Sequence, residues 1–287
     1  MSKVFIVTDS TADIPDQVVD QYGIKIVPLR VVFSEQESYL DGIELSASKF
    51  YEKLGEVKAL PTTSQPSPIE FMNVYKELNE AHPGCQIVSI HLSSGMSGTY
   101  QSAVLGKSML EDESEADITV IDSKSASYGY GLLVVHAARL ASEGKSAAEI
   151  SEAVVTLHKE RKLYFLVDTL EYLQKGGRIG KASAILGTLL NIKPVLSIDE
   201  EGVIYAVEKV RGQKKAMERI VQMFESDFAG KRINIAVGHT ANPSSAETFV
   251  ELMKTRFELN EVVYPNIGAV IGSHVGFGTI AIFVWPA

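Results

Sequence analysis

The stretch Val4-Phe5-Ile6-Val7-Thr8-Asp9-Ser10-Thr11-Ala12-Asp13-Ile14-Pro15 decides how the rest of the chain is read. Its first five residues are apolar and largely β-branched, which reads as a buried strand. A polar turn follows at once. Asp13 then offers a cap, Pro15 suits a first helical turn, and Gly23 closes the helix where a left-handed residue is useful. A strand handing over to a helix through a hydroxyl-rich turn is the repeating unit of a parallel α/β sheet.

Reading outward, the same alternation continues. A strand is expected over 24–33, a helix capped by Ser46 over 46–54, and a firmer helix at Ser67, Pro68 and Glu70, which form a capping box with Phe71, Tyr75 and Leu78 on one face. Pro83-Gly84 ends it. A strand over 86–92 runs into the loop 93–98 and a helix to about residue 109, which puts that loop at a strand's carboxyl end, where open α/β sheets bind ligands. A strand over 118–121 and helices over 128–143 and 146–161 complete this part. From residue 164 the order changes: a strand, a Gly176-Gly177 turn, an apolar helix over 182–190, and a hairpin over 192–210 turning at Glu201-Gly202. Helices over 214–228 and 244–256 and strands at 233–237, near 262 and at 279–285 follow. The expectation is an α/β protein of two domains, a parallel-sheet domain over 1–161 and a mixed α/β domain over 162–287.

Composition narrows the function classes. With 287 residues and 45% hydrophobic content there is material for roughly two domains at ~150 residues each. Asp plus Glu number 36 against 27 for Lys plus Arg, a formal charge of −9, with no dense basic run, which argues against a nucleic-acid groove. The single cysteine, Cys85, excludes an internal disulfide and a Cys-based zinc cluster and fits a reducing compartment. The first apolar stretch is too short for a signal peptide, and no stretch approaches the ~18 apolar residues of a membrane span. A cytoplasmic protein without permanent membrane insertion is expected.

Several signatures nearly match and are rejected. Gly95-Met96-Ser97-Gly98-Thr99 lacks the final glycine of a nucleophile elbow, and Gly176-Gly177-Arg178-Ile179-Gly180-Lys181 lacks the first glycine and the last hydroxyl of a phosphate loop. Gly276-Phe277-Gly278 opens no helix. The six histidines, at 82, 91, 136, 158, 239 and 274, show no metal-ligand spacing. What remains are hydroxyl-rich loops, 8–11, 62–67 and 93–99, able to hold an anion through hydroxyls and backbone N–H groups. Taken alone, 62–67 reads equally well as turn and cap chemistry. Asp9 and Asp122 end strands and read as turn caps.

The runs Thr8-Asp9-Ser10-Thr11-Ala12-Asp13, Thr63-Ser64-Gln65-Pro66-Ser67, Leu92-Ser93-Ser94-Gly95-Met96-Ser97-Gly98-Thr99-Tyr100-Gln101, Asp122-Ser123 and Leu173-Gln174-Lys175-Gly176-Gly177-Arg178-Ile179 occur in this order. Together they resemble the DegV family of bacterial fatty-acid-binding proteins. The resemblance spans essentially the whole chain. It implies a two-domain carrier, not itself a catalyst, that buries one long-chain fatty acid and presents its carboxylate to an ATP-using fatty acid kinase subunit, which makes an acyl phosphate for phospholipid synthesis. It further implies that Thr63 and Ser94 hydrogen-bond the carboxylate, with Ser97, the backbone of Gly95 and His274 nearby, and that Arg178 and Arg211 lie on the face that docks the kinase. The expected tunnel wall is the apolar segment with Ile185, Leu186 and Leu189, continued by Ile192 and Leu196. No cofactor or metal is implied beyond the bound fatty acid. Two alternatives stay open: a phosphoryl-transfer or hydrolytic enzyme using the serine loops as its anion site, and a lipid-responsive regulatory module.

Overall fold

Periodicity of two in the strands and of 3.6 in the helices sorts the chain into three sheets and their covering helices. The computed structural model describes residues 3–111, 117–187 and 192–287. In chain order the elements are β1 (Val4–Asp9), α1 (Asp16–Tyr22), β2 (Lys25–Val27), β3 (Arg30–Ser34), β4 (Glu37–Leu40), α2 (Ala47–Glu56), β5 (Thr62–Ser64), α3 (Pro68–Ala81), β6 (Gln86–His91), α4 (Thr99–Glu111), β7 (Asp117–Asp122), α5 (Tyr128–Ser142) and α6 (Ala147–Glu160). They continue with β8 (Lys162–Leu166), α7 (Glu171–Lys175), β9 (Ile192–Ile198), β10 (Ile204–Arg211), α8 (Gln213–Phe228), β11 (Ile233–His239), α9 (Pro243–Lys254), β12 (Leu259–Val263), α10 (Ala269–Val275) and β13 (Ile280–Pro286).

The first sheet is parallel, in the order β2-β1-β6-β7. Strand order reverses direction between β1 and β6, so the loops leaving their carboxyl ends diverge and open a crevice. The second sheet, β10-β9-β8-β13-β11-β12, is mixed, with only the β11–β12 pair parallel. The third, β4-β3-β5, is small and antiparallel. Both expected capping boxes are present, at Ser67 with Glu70 and at Ser146 with Glu149.

Three expectations are corrected. The strand expected over 24–33 is two strands in different sheets, because Pro28 between them has no N–H to give to a ladder. The loop expected over 62–67 begins as β5, which pairs with β3. The apolar helix expected over 182–190 is a 3-10 turn, Gly180–Ile185, bracketed by left-handed Gly180 and Gly187, which leave too few residues for an α-helix; residues 188–190 lie outside the described ones. The short helix α10, hidden in a glycine-rich stretch, was not expected at all.

One of the hydrophobic clusters runs across the 161/162 boundary. Val88 and Ile90 of β6, Leu133 and Val134 of α5, and Phe165, Leu196 and Phe283 of the second sheet belong to the same cluster. The reason lies in α5, ten of whose residues are buried: a helix apolar nearly all round has to be covered on both sides.

Candidate functional site

Strand alternation in the second sheet prepares the site. On β13, Ile280, Ile282 and Val284 turn toward a core shared with α8 and α9, while Ala281 and Phe283 turn the other way. On β8, Leu166 goes with the first set and Leu163 and Phe165 with the second. The second set faces the crevice at the carboxyl end of the parallel sheet, and between them lies a cavity of about 840 Å³ of empty space, its mouth included. Leu92, Met96 and Ala126 from the loops after β6 and β7 line it opposite Leu163, Phe165, Ala281 and Phe283.

Against this apolar lining, a group of polar side chains is joined by direct contacts. Thr63 Oγ1 and His274 Nε2 are 2.9 Å apart, and both line the cavity with Gln65, Ser97 and Arg178. Arg178 is held by its Nε donating to the Met96 carbonyl at 3.0 Å and its Nη1 donating to the Gly176 carbonyl at 2.8 Å. His274 packs against Gly176 so closely that a Cβ there would collide with its Nδ1, which makes glycine a steric requirement at 176. Burial, with the Arg178 charge adding to it, pushes the His274 imidazole down to about 4, so the ring is neutral at pH 7. Its Nδ1 has no hydrogen-bond partner.

The expected carboxylate ligands separate into two groups. Thr63, Ser97 and His274 come together at the cavity. Ser94 does not: it is exposed, its N–H donates to Asp122 Oδ1 at 3.2 Å and its Oγ accepts from Lys124 Nζ at 3.2 Å, both of which hold it outside. Gly95 is also turned away, with its N–H given to Ser93 Oγ at 3.1 Å. Ser97 is the serine of this loop that lines the cavity, and its Oγ also accepts the Thr99 N–H, the first of α4, at 3.3 Å.

None of the expected tunnel-wall residues lines the cavity. Ile185 is buried in the 3-10 turn, Leu186 is 36% exposed, Ile192 is half-buried at the start of β9, and Leu189 falls outside the described residues. Leu196 pairs in register with Phe165 on the cavity side but packs into the surrounding core. The wall comes from alternate residues of several strands and from α10, contacts that no contiguous apolar run could reveal. Arg178, expected on a docking face, lines the cavity, so its polar end carries a cation as well as neutral donors. Arg211 is exposed at the far end of β10, seven residues and so about 23 Å along the strand from the cavity residue Ile204.

Two supporting features go beyond the sequence reading, which took Asp9 only as a turn cap, a role it fills by accepting the Thr11 N–H at 3.1 Å. The first is Asp9, fully buried, whose carboxylate accepts from His91 Nδ1 at 3.0 Å, Leu92 N–H at 3.1 Å, Thr11 Oγ1 at 2.6 Å and Tyr130 Oη at 2.7 Å. Burial opposes its ionisation, but the His91 bond and the hydroxyl donors outweigh that and leave its pKa lowered. His91 Nε2 lies 2.6 Å from Ser89 Oγ, completing a Ser-His-Asp chain. Ser89 and His91 are both fully buried and line no part of the cavity, so the chain anchors the end of β6 and is no accessible nucleophile.

The second is the clasp between the β9–β10 turn and the loop after β6, where Ser93 Oγ donates to the Gly202 carbonyl at 2.8 Å. Gly202 sits at φ +78°, and a Cβ there would overlap Ser93 Oγ. Gly202→Ala is therefore expected to cost about 1–3 kcal/mol and to loosen the Ser93 loop. Chemical denaturation and amide exchange at residues 93–98 would check it; a variant with unchanged stability and protection would contradict the clasp.

A mixed α/β frame around a mainly apolar pocket with one polar head-group cluster defines a class of small-molecule-binding protein. The chain belongs to the DegV family, whose model matches residues 3–287. It is 38% identical over 281 residues to the protein DegV of Bacillus subtilis, covering 97% of this chain and 98% of that one. Among solved structures it resembles a DegV family protein from Thermus thermophilus described by its fatty acid binding, with 36% identity, a TM-score of 0.90, and 99% and 100% of the two chains covered. It also resembles a stearic-acid-binding protein from Eubacterium ventriosum, with 28% identity, a TM-score of 0.90, and 100% and 98% covered. No group of three His, Cys, Asp or Glu residues among the described ones could hold a metal ion, and no described helix is long and apolar enough to cross a membrane.

Proposed function

We propose that this protein carries one long-chain fatty acid, with the tail in the cavity and the carboxylate at Thr63, Ser97, His274 and Arg178, and presents it to an ATP-using kinase subunit that makes an acyl phosphate for phospholipid synthesis. The observation that carries the reading is the apolar cavity whose polar side chains gather around a buried, neutral His274 bonded to Thr63. Each buried methylene of the tail contributes ~0.8 kcal/mol, so the tail supplies most of the affinity. A buried carboxylate without partners costs several kcal/mol, and the Thr63 hydroxyl, the imidazole and the Arg178 guanidinium offset that cost. In this reading the segments 1–161 and 162–287 act as two domains, Arg211 belongs to the kinase-docking face with Arg178, and the protein works in the cytoplasm without a cofactor or permanent membrane insertion.

The direct test is solvent extraction of purified, denatured protein: one fatty acid per chain is expected, and finding none, with no uptake of added fatty acid, would end the reading. Thr63→Ala removes a charge-assisted hydrogen bond worth about 1.5–3 kcal/mol and should weaken retention roughly 10- to 100-fold. With ATP and a kinase fraction, hydroxylamine should trap the acyl phosphate, while the protein alone should yield none. Hydrolysis of a long-chain acyl ester by the protein alone would favour the hydrolase reading instead, for which the Thr63–His274 contact is the one feature in support.

Proton linkage follows from His274. The free ring titrates at about 4, and an arriving carboxylate favours its charged form and raises that value. The complex then holds more protons than the free protein from about pH 4 upward to the new value, so affinity rises as pH falls through this window. Calorimetry at pH 5.5 in buffers of different ionisation enthalpy should register proton uptake on binding, and His274→Gln should reduce it. Equal uptake by the variant would remove His274 from the site.

A further inference from the structure

A second, larger cleft lies behind the fatty-acid cavity, with about 1890 Å³ of empty space including its open mouth. Asp9, Asp13, Asp16, Asp41 and Glu52 line it, and no Lys or Arg among the described residues does. Asp9 is fully buried and its carboxylate is satisfied by His91, Thr11, Tyr130 and the Leu92 N–H, so it presents no free oxygen to the cleft. Asp13 Oδ1 accepts the Gly268 N–H at 2.9 Å and Asp41 Oδ1 accepts the Ala269 N–H at 3.1 Å, so both converge on the start of α10. Burial raises the Asp13 carboxyl well above the ordinary range and pushes that of Asp41 up to about 6, as expected where no cation faces them.

Acidic residues alone would not make a site. Two further observations point to a missing ligand. Asp41 is 3% exposed and its Oδ2 has no hydrogen-bond partner. His239, at the end of β11, also lines the cleft, is 9% exposed, and its Nδ1 has none either. Buried polar atoms are normally satisfied, and in a lining with acidic side chains and no Lys or Arg the complement to a partnerless carboxylate oxygen is a cation with N–H donors, to which a neutral imidazole nitrogen can also offer its lone pair. Tyr264 and Phe277 line the same cleft, and Tyr264 is 44% exposed, giving aromatic surface for a cation and its carbon stem.

From this geometry we infer that the cleft between Asp41 and His239 binds an alkyl ammonium or guanidinium group, either of a free small amine or of a basic side chain on another protein. The site has a route to the first cavity: Ile267 lines both, and α10, held at its start by Asp13 and Asp41, carries His274 at its other end. It does not depend on the fatty-acid reading, since amine binding is measured on lipid-free protein.

The experiment is calorimetric titration of lipid-free protein with 1,4-diaminobutane and, separately, with a lysine amide blocked at its α-amine, at fixed moderate salt. Saturable binding of one molecule per chain is expected, weakened at least about tenfold by Asp41→Asn and by His239→Phe. Glu52→Gln, exposed on the rim and remote from the fold's hydrogen bonds, should weaken it by a smaller factor and serves if either buried variant fails to fold. Tighter binding of the diamine assigns the site to a free amine, and tighter binding of the blocked lysine assigns it to a partner's side chain. No saturation by either at millimolar concentration, or affinity indifferent to all three substitutions, would overturn the inference.

Discussion

If the cavity carries a fatty acid as proposed, Ala281→Phe is expected to abolish its retention while leaving the fold intact. Ala281 is buried on β13 and lines the cavity two residues from Phe283 on the same strand face, so an added phenyl ring projects into existing space. Displacing about four tail methylenes at ~0.8 kcal/mol each removes ~3 kcal/mol, more than 100-fold in affinity. Overpacking a filled site would cost about 1–3 kcal/mol of stability, whereas here the ring enters a void. The neighbouring Ile282 gives the contrast. It is fully buried on the opposite face, in the core under α8 and α9, so Ile282→Phe should lower stability while leaving fatty-acid retention nearly unchanged. Lipid content of the two purified variants, with thermal melts beside it, separates the faces; retention by Ala281→Phe would mean the acyl chain lies elsewhere.

The largest stability effect is expected at Asp9. Asp9→Leu leaves the buried His91 ring, the Leu92 N–H and the Thr11 and Tyr130 hydroxyls without their acceptor. Leaving several buried donors without an acceptor, at about 1–3 kcal/mol each and with partial relaxation, costs about 3–5 kcal/mol in all. For a chain of this size that corresponds to a fall in Tm of roughly 10 °C. Asp9→Asn keeps one acceptor oxygen and should lose about half as much. Because Asp9 also fixes Leu92, where the loop carrying Met96 and Ser97 begins, fatty-acid retention should fall with stability in Asp9→Leu. A melt within 2 °C of the parent, taken as roughly 1 kcal/mol or less, would show that the network is dispensable.

Legibility in the sequence followed the range of the interactions involved. Ser67 with Glu70 and Ser146 with Glu149 announced helix starts because a cap and its partner lie three residues apart. The loop after β6 was placed at a strand's carboxyl end by alternation alone, and Thr63 and His274 were singled out through the family resemblance. The tunnel wall was misplaced because a contiguous apolar run such as 182–190 looks like a lining, whereas the real lining takes single residues from β8, β10, β13 and α10. Arg178 was placed on a docking face by the family resemblance, and the Met96 and Gly176 carbonyls, one of them 82 residues distant, turn it to the cavity.

What the sequence by itself determined is the capped helices, most of the strands and the parallel character of the first sheet, since hydrophobic period and capping are local properties of a chain. Only the tertiary structure decided which serine lines the cavity, that His274 is neutral, that one hydrophobic cluster joins both halves and that a second, acidic cleft lies alongside. Those depend on burial and on contacts between residues far apart in the chain, such as Thr63 with His274 and Ser93 with Gly202, and no local pattern encodes the distance between them.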